Sequence, residues 1–338
     1  MRSLTSGRKK LMALTHFDFE KPIVEIEEKL EELRLKENAD PLRVKELEQM
    51  IEQKKKEVYK HLSPWQRVQI ARHIKRPHSL DYVSILFEHF TEIHGDRFFA
   101  DDPAVVCGFG FFKGEPVVFI GQQKGKDTKD NLARNFGMMH PEGYRKALRV
   151  MKLAEKFNLP IVIFIDTPGA YPGIGAEERG QAEAIAKNIK EMYLIKTPIV
   201  IVIIGEGASG GALGIGLGDV VLMLENSWYC VISPEGCASI LWRDRAMAPQ
   251  SAEALKLTAE DLINLKVVDE VIPEPIGGAH CDPEQTALNV KVALEKHIFR
   301  LCAKSSEQLL SDRFNKYRVM GEYLENRNET ASDVSHPS

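Results

Sequence analysis

The sequence is poor in the features that mark membrane-spanning, disulfide-bonded and zinc-binding proteins. No stretch approaches the ~18 uninterrupted apolar residues of a membrane span, and the longest apolar runs, near 161–165 and 199–204, have strand length. Its five cysteines are odd in number and include no C-x-x-C pair, which supports neither a disulfide framework nor a zinc ribbon. We therefore expect a soluble protein with reduced thiols and no metal site.

An excess of charge of one sign is also missing. Lys and Arg number 45 against 49 Asp and Glu, so no global positive field attracts nucleic acid or an anionic membrane. The first ten residues are basic but contain no apolar signal core. We expect a cytoplasmic protein, or a stromal one if the source is a plastid, with no nucleic acid or membrane as partner.

The N-terminal part has the pattern of a helical hairpin. Four aliphatic residues recur at helical spacing within 22–36, and Asp40 followed by Pro41 supplies an N-cap and first-turn proline for a helix to about Tyr59. The narrow apolar stripe must pack on the main domain, on a partner subunit or on the other arm of the hairpin. A connector follows around Pro64. We assign residues 1–78 to an N-terminal helical region.

Beyond residue 78 the chain alternates apolar runs with amphipathic helices, which predicts an α/β domain with buried strands over 79–300. Strands 161–165 and 199–204 both run into a glycine-rich turn and a helix, a repetition that suits a spiral of ββα turns as well as a doubly wound sheet. Residues 301–338 are assigned to a C-terminal extension, disordered after about 305. The expected elements are a helix at 79–90, strands on both sides of Lys113-Gly114 within 105–121, and then a helix near 142–157, a strand at 161–165, a helix at 176–192, a strand at 199–204, a helix at 210–217 and a strand at 220–224.

The turn Gly205–Gly214, with the sequence GEGASGGALG, predicts a site built from backbone atoms. Adjacent glycines allow close approach of a ligand, and unpaired N–H groups at a helix start can hold an oxyanion. One such donor stabilises a transition state by roughly 3 kcal/mol. Close packing of helix on sheet is the alternative, for which Gly214, Gly216 and Gly218 are better candidates than Gly210 and Gly211.

A second turn, Asp166–Gly175, is rigid, polar at its edge and placed at the end of the preceding strand, so it is expected to wall the same site. The segment 121–137 is basic, and Lys124, Lys126 and Arg134 could hold phosphates or a carboxylate. A solvated charged loop is the alternative for this segment. It is not a phosphate-binding Walker loop, because Ile120 stands where the first glycine should be.

The same glycine turn also permits a different enzyme class. Residues Gly207–Gly211 satisfy G-x-S-x-G, the nucleophile elbow of serine hydrolases, with Ser209 as the nucleophile. An acid and a histidine follow in the required order, for example Asp269 and His280. His280 lies in a stretch rich in proline and glycine, with no independent sign that it approaches Ser209.

The stretch from about Phe17 to Arg300 resembles the alpha-subunit family of bacterial and plastid acetyl-CoA carboxylase carboxyltransferases, and more widely the crotonase superfamily. Many ordered motifs make this resemblance more specific than any single one. They are Leu80–Tyr82 (LDY), His94–Arg97 (HGDR), Gln123–Asp130 (QKGKDTKD), Asn135–Met138 (NFGM), Gly143–Ala147 (GYRKA), Asp166–Ala170 (DTPGA), Gly205–Gly214 and Leu222–Glu225 (LMLE).

The resemblance implies a crotonase-like ββα spiral core and a biotin-dependent carboxyltransferase. Carboxybiotin on a biotin carboxyl carrier protein releases CO2 to leave a biotin enolate that deprotonates acetyl-CoA. The acetyl-CoA enolate attacks the CO2 to give malonyl-CoA for fatty acid synthesis. Gly210, Gly211 and Ala212 match the family's oxyanion turn on the biotin side, which makes Ser209 a turn residue. The residues expected on the substrate and biotin side are Gly169, Ala170, Tyr171, Gly173, Lys124, Lys126 and Arg134.

The resemblance also implies partners. A beta subunit carries a four-cysteine zinc ribbon and most of the CoA site, in an alpha2-beta2 assembly, and biotin carboxylase and the carrier protein complete the enzyme. The chain alone is then expected to be inactive. Two departures are visible: Tyr171 stands where some relatives have tryptophan, and 302–338 has no counterpart in the family pattern.

Overall fold

The computed structural model describes residues 16–36 and 40–321. Within these ranges, none of the helices is both long enough and apolar enough to cross a membrane. The helices are α1 (Lys21–Arg34), α2 (Pro41–Lys60), α3 (Pro64–Ala71), α4 (Ser79–Leu86), α5 (Thr128–Ala133), α6 (Pro141–Lys156), α7 (Ile174–Glu178), α8 (Gln181–Met192), α9 (Ser209–Leu213), α10 (Pro234–Leu241), α11 (Ala248–Ala254), α12 (Ala259–Asn264), α13 (Pro283–Cys302) and α14 (Ser306–Arg318). The strands are β1 (Glu88–Glu92), β2 (Val105–Phe112), β3 (Glu115–Gln122), β4 (Ile161–Thr167), β5 (Ile199–Ala208), β6 (Val220–Leu224), β7 (Trp228–Cys230) and β8 (Glu270–Ile272).

Helices α1 and α2 form the predicted hairpin and pack on each other. Their shared core consists of the buried residues Ile23, Leu30, Leu47 and Ile51. The Asp40 side chain accepts a hydrogen bond from the N–H of Leu42, which caps α2 as expected. Of the three possible partners for the apolar stripe, the structure therefore selects the other arm.

The strands form one sheet in the order β1-β2-β3-β4-β5-β6-β8. Strands β1 to β3 are antiparallel, and β3, β4, β5, β6 and β8 run parallel. A doubly wound sheet reverses its strand order at a switch point, whereas this order advances in one direction only. The spiral is therefore the correct alternative, and the crotonase-like α/β fold with an N-terminal helical hairpin is confirmed.

Both faces of the sheet are covered, which explains the continuous apolar strands. In β4 and β5 the odd-numbered residues pack into the cluster with α6 and α8. The even-numbered residues of these strands pack into the cluster that contains buried residues of α4 and α13. One strand thus supplies two cores through simple alternation of its side chains.

Strand β5 is longer than the predicted 199–204 and pairs in succession with β6 and β7. Its first half pairs with β6 through Val200 to Ile203, and its end pairs with β7 through Glu206 to Ala208. The extended strand ends at Ala208, directly before α9. This is how the spiral places the glycine turn at the carboxyl ends of the strands.

Several predicted element boundaries were wrong for local reasons. The helix expected at 79–90 ends at Leu86, and β1 follows it. The helix expected at 176–192 is divided into α7 and α8 because Gly180 adopts a left-handed φ of 82°. The helix expected at 210–217 is the five-residue α9. The connector near Pro64 contains α3, with Ser63 as its N-cap.

The prediction of disorder after about 305 was wrong for 306–318, which form α14. Arg313 is buried on this helix and donates to both carboxylate oxygens of Asp219 at 2.9 and 2.8 Å. The rest of that prediction, and the basic segment 1–10, lie outside the described residues. The domain boundaries at 78/79 and 300/301 stay predictions.

Candidate functional site

The two glycine turns that follow β4 and β5 meet at Gly211. A Cβ atom added to Gly211 would lie 2.2 Å from the carbonyl carbon of Gly169 and 2.4 Å from the nitrogen of Ala170. Gly210 has space, because its added Cβ would find nothing nearer than Ile185 Cδ1 at 3.7 Å. The structure thus brings the predicted residues of both turns together, and it requires glycine at 211.

The backbone N–H groups of this turn are available to a ligand. Ser209 has a φ of 56°, and α9 starts directly after β5. The first N–H groups of a helix have no partner inside it, and among the described residues none of the hydrogen bonds comes from the N–H of Gly210 or Gly211. Gly210 is half-buried, whereas Gly211 and Ala212 are buried. The turn can therefore donate hydrogen bonds to an oxyanion. Because α9 has only five residues, its helix dipole contributes little to the binding of that oxyanion.

Gln122, which sequence reasoning missed, connects the two turns. Its Nε2 donates to the carbonyl oxygen of Gly211 at 2.8 Å, and its Oε1 accepts from the N–H of Asp166 at 3.1 Å. Tyr144 donates to the same Gly211 oxygen at 3.2 Å. The position of Gln122 within the basic segment 121–137 was visible in the sequence, but nothing there revealed that its side chain reaches residues 44 and 89 positions away.

The turn after β4 is fixed by side chains around Tyr171. Its ring stacks on His140 with centroids 4.1 Å apart, and its N–H donates to the oxygen of Met139 at 3.0 Å. Gln181 donates to the carbonyl oxygens of Met139 and Tyr171 at 2.8 and 3.0 Å. A Cβ at Gly173 would lie 2.4 Å from the Tyr171 ring. This turn is therefore a rigid wall beside Gly211.

Lys124 lies in a buried ionic cluster at the ends of β4 and β5. Its Nζ donates to Asp166 at 2.6 Å and to Glu206 at 2.7 Å. Burial alone would lower the pKa of Lys124, but the two carboxylates outweigh it and raise that pKa. Burial alone would raise the pKa of Asp166, but Lys124 and the hydrogen-bonded His78 hold it well below its usual range. Lys124 is thus an ion-pair partner in the site wall and not part of a solvated loop.

The structure does not bring Lys126 and Arg134 to the glycine turns. Lys126 is exposed and pairs with Asp81 at 2.5 Å. Arg134 donates to Asp130 at 2.9 Å and to the oxygen of Pro103 at 3.0 Å. Neither residue lines the cleft beside Lys124.

That cleft has a volume of about 350 Å³ and is lined partly by the connector between α3 and α4. Arg72 of this connector donates to Glu206 at 2.6 Å and also pairs with Glu235. His78 places its Nδ1 3.1 Å from Asp166 Oδ2. Sequence reasoning missed Arg72, His78 and Glu206, since Arg72 and Glu206 are 134 residues apart. The sequence did offer one signal for Glu206: an acidic residue follows shortly after each of the two similar aliphatic runs, Asp166 after 161–165 and Glu206 after 199–204.

Asp269, the acid named for the serine hydrolase alternative, lies far from Ser209. Asp269 accepts from the N–H of Val221 at the start of β6, whereas Ser209 follows the far end of the parallel β5. Val221 pairs with Ile201 of β5, and Ser209 lies eight residues further along the chain, a distance of roughly 25 Å in a strand. His280 stacks on His73 with centroids 3.7 Å apart, and its buried Nδ1 bonds to no described residue. No triad is assembled from Ser209, Asp269 and His280.

Comparisons with known proteins show the family to which the chain belongs and agree with its fold. The sequence model of the family described as acetyl co-enzyme A carboxylase carboxyltransferase-like matches residues 16–321. The chain is 54% identical over 312 residues to an acetyl-coenzyme A carboxylase carboxyl transferase subunit alpha of Staphylococcus haemolyticus, covering 91% of this chain and 99% of the relative. It is 55% identical over 311 residues to the protein of the same name from Geobacter metallireducens, covering 91% of this chain and 98% of the relative.

Because the family match reaches residue 321, the expectation that 302–338 has no counterpart was wrong for 302–321.

Solved structures of low identity share the fold. A transcarboxylase 12S structure has a TM-score of 0.52 at 20% identity, over 68% of this chain and 44% of the other chain. A Pseudomonas malonate decarboxylase hetero-tetramer in complex with coenzyme A has a TM-score of 0.53 at 16% identity, over 64% and 88%.

Proposed function

The chain belongs to the family of acetyl-CoA carboxylase carboxyltransferase alpha subunits, and from this premise we propose that its glycine turn supplies the main-chain donors for carboxyl transfer. The protein is a biotin-dependent carboxyltransferase subunit. In the proposed reaction, carboxybiotin on a biotin carboxyl carrier protein supplies the carboxyl group and acetyl-CoA accepts it. The donors are Gly210 and Gly211, with Ala212 as the third member of the turn.

The observation that carries this proposal is the contact between Gly211 and the Gly169–Ala170 backbone. It leaves no room for a side chain at 211 and holds the N–H groups of Gly210 and Gly211 next to a second rigid turn. An enolate oxygen gains negative charge during carboxyl transfer, and preorganised N–H donors stabilise such charge without reorganisation. Ala212, like Gly211, is buried, whereas Gly210 is half-buried.

Binding on the biotin side is assigned to the wall formed by the turn after β4, with its residues Gly169, Ala170, Tyr171 and Gly173. Lys124 supports this wall through Asp166. Lys126 and Arg134 lie outside the cleft, so their proposed role is at the rim, toward CoA phosphates, the carrier protein or a partner subunit. Exposed cations attract anionic groups at such a distance, with a strength that falls as salt increases.

The partners we propose follow from the family. A beta subunit with a zinc ribbon completes the site in an alpha2-beta2 assembly, and biotin carboxylase recharges the carrier protein. The bacterial cytoplasm, or the stroma of a plastid, is the proposed compartment. This chain alone is then inactive.

The test is the reverse half-reaction, malonyl-CoA-dependent carboxylation of free biotin. We would measure it for this chain alone and after mixing with a zinc-loaded beta subunit from the same source. Activity only in the mixture supports a site shared between two subunits. No activity with a folded, assembled partner contradicts the proposal.

One variant and one chemical probe separate the remaining interpretations. Gly211→Val places a side chain against the Gly169 backbone, where there is no room for one. Carboxyl transfer should therefore be abolished while assembly with the beta subunit persists. Retained transfer would refute the oxyanion turn. A fluorophosphonate probe should leave Ser209 unlabelled, whereas labelling would return a serine hydrolase to consideration, with a base other than His280.

A further inference from the structure

Gln122 lies at the point where the two turns of the site depart from regular secondary structure. It is the last residue of β3 and is fully buried. On one side, the pairing of β4 with β5 is irregular between Ile165 and Thr167, and the N–H of Asp166 donates to Gln122 Oε1. On the other side, Gln122 Nε2 donates to the carbonyl oxygen of Gly211.

The Gly211 carbonyl needs this donor because α9 ends early. Gly214 donates to the oxygen of Gly210, and Ile215 donates to the oxygen of Ala212, so the carbonyl of Gly211 is passed over. A buried carbonyl without a partner is unfavourable, and Gln122 together with Tyr144 supplies the two donors. The side chain of Gln122 therefore replaces the backbone partner that a longer helix would provide.

This hydrogen bond also sets the direction of the turn. In a trans peptide the C=O and the following N–H point in opposite directions. When Gln122 holds the Gly211 oxygen toward β3, it fixes the rotation of the peptide plane between Gly211 and Ala212. The peptide groups of residues 209–211 are linked to that plane through only two soft dihedral angles per residue. The direction of their N–H groups therefore also depends on the hydrogen bond from Gln122 to the Gly211 oxygen.

We propose that Gln122 is a positioning residue for carboxyl transfer. Its carboxamide sets the spacing between the Asp166 turn and the Gly211 turn and keeps the Gly210 and Gly211 N–H groups aimed at the reacting oxygen. This role rests on the proposed function of the glycine turn. Gln122 itself is fully buried and acts through Gly211 without touching the substrate.

The test compares two variants in the complex with the zinc-ribbon beta subunit. Gln122→Met keeps the length of the side chain and removes both hydrogen bonds. Gln122→Glu keeps an acceptor for the Asp166 N–H but loses the donor to Gly211. Because misplacement of about 1 Å at a reacting centre costs roughly 100-fold in rate, both variants should lower kcat for biotin carboxylation on that order. The KM for biotin should stay within about threefold, since the contacts of the turn after β4 with biotin are not removed.

The control is Arg313→Met, which also replaces a buried hydrogen-bonding side chain with methionine. Arg313 is 1% exposed and donates to Asp219, which accepts from the N–H of Ile199 at the start of β5, the opposite end of the strand from the glycine turn. The loss of Arg313 should lower the melting temperature without changing kcat. If Gln122→Met lowers the melting temperature equally and leaves kcat unchanged, Gln122 is structural and our inference is overturned.

Failure of this inference is distinguishable from failure of the proposed function. If only the inference on Gln122 fails, Gly211→Val still abolishes carboxyl transfer. If the proposed function of the glycine turn fails, the Gly211→Val variant retains it. If Gln122→Met does not fold, Tyr144→Phe removes only the 3.2 Å bond to the same carbonyl. It should lower kcat a few-fold with an unchanged KM, and an unchanged kcat would also overturn the inference.

Discussion

Gly210 and Gly211 are neighbours in sequence but differ in the space around them. Gly211→Ala must displace the Gly169 backbone, which should cost about 1 to 3 kcal/mol of unfolding free energy. Gly210→Ala has room and gains helix propensity, so its stability should change by less than about 1 kcal/mol. Urea unfolding of both variants measures the difference. Equal destabilisation would mean that the close contact at Gly211 does not exist in solution.

His280 makes stability depend on pH. Burial and then the neighbouring His73 lower the pKa of His280 to about 3. In the unfolded chain this imidazole has a pKa near 6.5, so below that pH the unfolded state binds a proton that the folded state does not. Stability therefore falls as pH decreases from about 6.5 toward 3. His280→Gln should lose less unfolding free energy than the wild type between pH 7.5 and pH 5. An equal loss in both proteins would contradict this assignment.

At this scale the sequence predicted which turns form the site but not the residues that support them. Glycine spacing reveals where a backbone can approach a ligand. It carries no information about Gln122 or Arg72, whose partners lie 89 and 134 residues away. The role of Lys124 needed the same long-range information, because its two carboxylates come from two different strands.

Among the elements, the buried central strands were predicted well, whereas β1, β7 and β8 were not predicted. Runs such as 161–165 and 220–224 are aliphatic on both faces, and only a strand buried on both sides uses that pattern at this length. Boundaries that depend on one residue were missed, such as the break at Gly180 and the early end of α9. The helix α14 was missed because most of its residues are polar and only Leu309 and Arg313 are buried on it, too few to give a recognisable apolar stripe.

Arg313 should control the attachment of α14. It donates to Asp219 and to three backbone carbonyl oxygens, those of Met192, Ile195 and Thr197. Arg313→Met leaves Asp219 buried without its partner, which should cost about 3 to 5 kcal/mol of unfolding free energy. Arg318→Met, an exposed position on the same helix, should change it by less than about 0.5 kcal/mol. Thermal unfolding compares the two, and equal melting temperatures would show that α14 does not depend on this cluster.

In the whole molecule, the hairpin has a core of its own. Its four buried residues form a cluster separate from those of the sheet. Tyr59 donates to Glu20 at its base, and Phe17 contacts His73 edge to face at 5.4 Å. We expect the hairpin to open locally, so the amides of Leu30 and Leu47 should exchange hydrogen at least about 100-fold faster than those of Ile163 and Ile201. Uniform protection would show that hairpin and spiral unfold as one unit.

The short turn at 209–213 has a consequence for how this protein tolerates genetic change. A backbone N–H belongs to every amino acid except proline, so few codon changes can delete a donor from this site. Most substitutions can only displace the N–H donor, either by adding volume at Gly211 or by removing a supporting side chain such as Gln122. The heritable information for such a site therefore resides in the packing around the turn and not in the chemistry of the side chains that the turn itself carries.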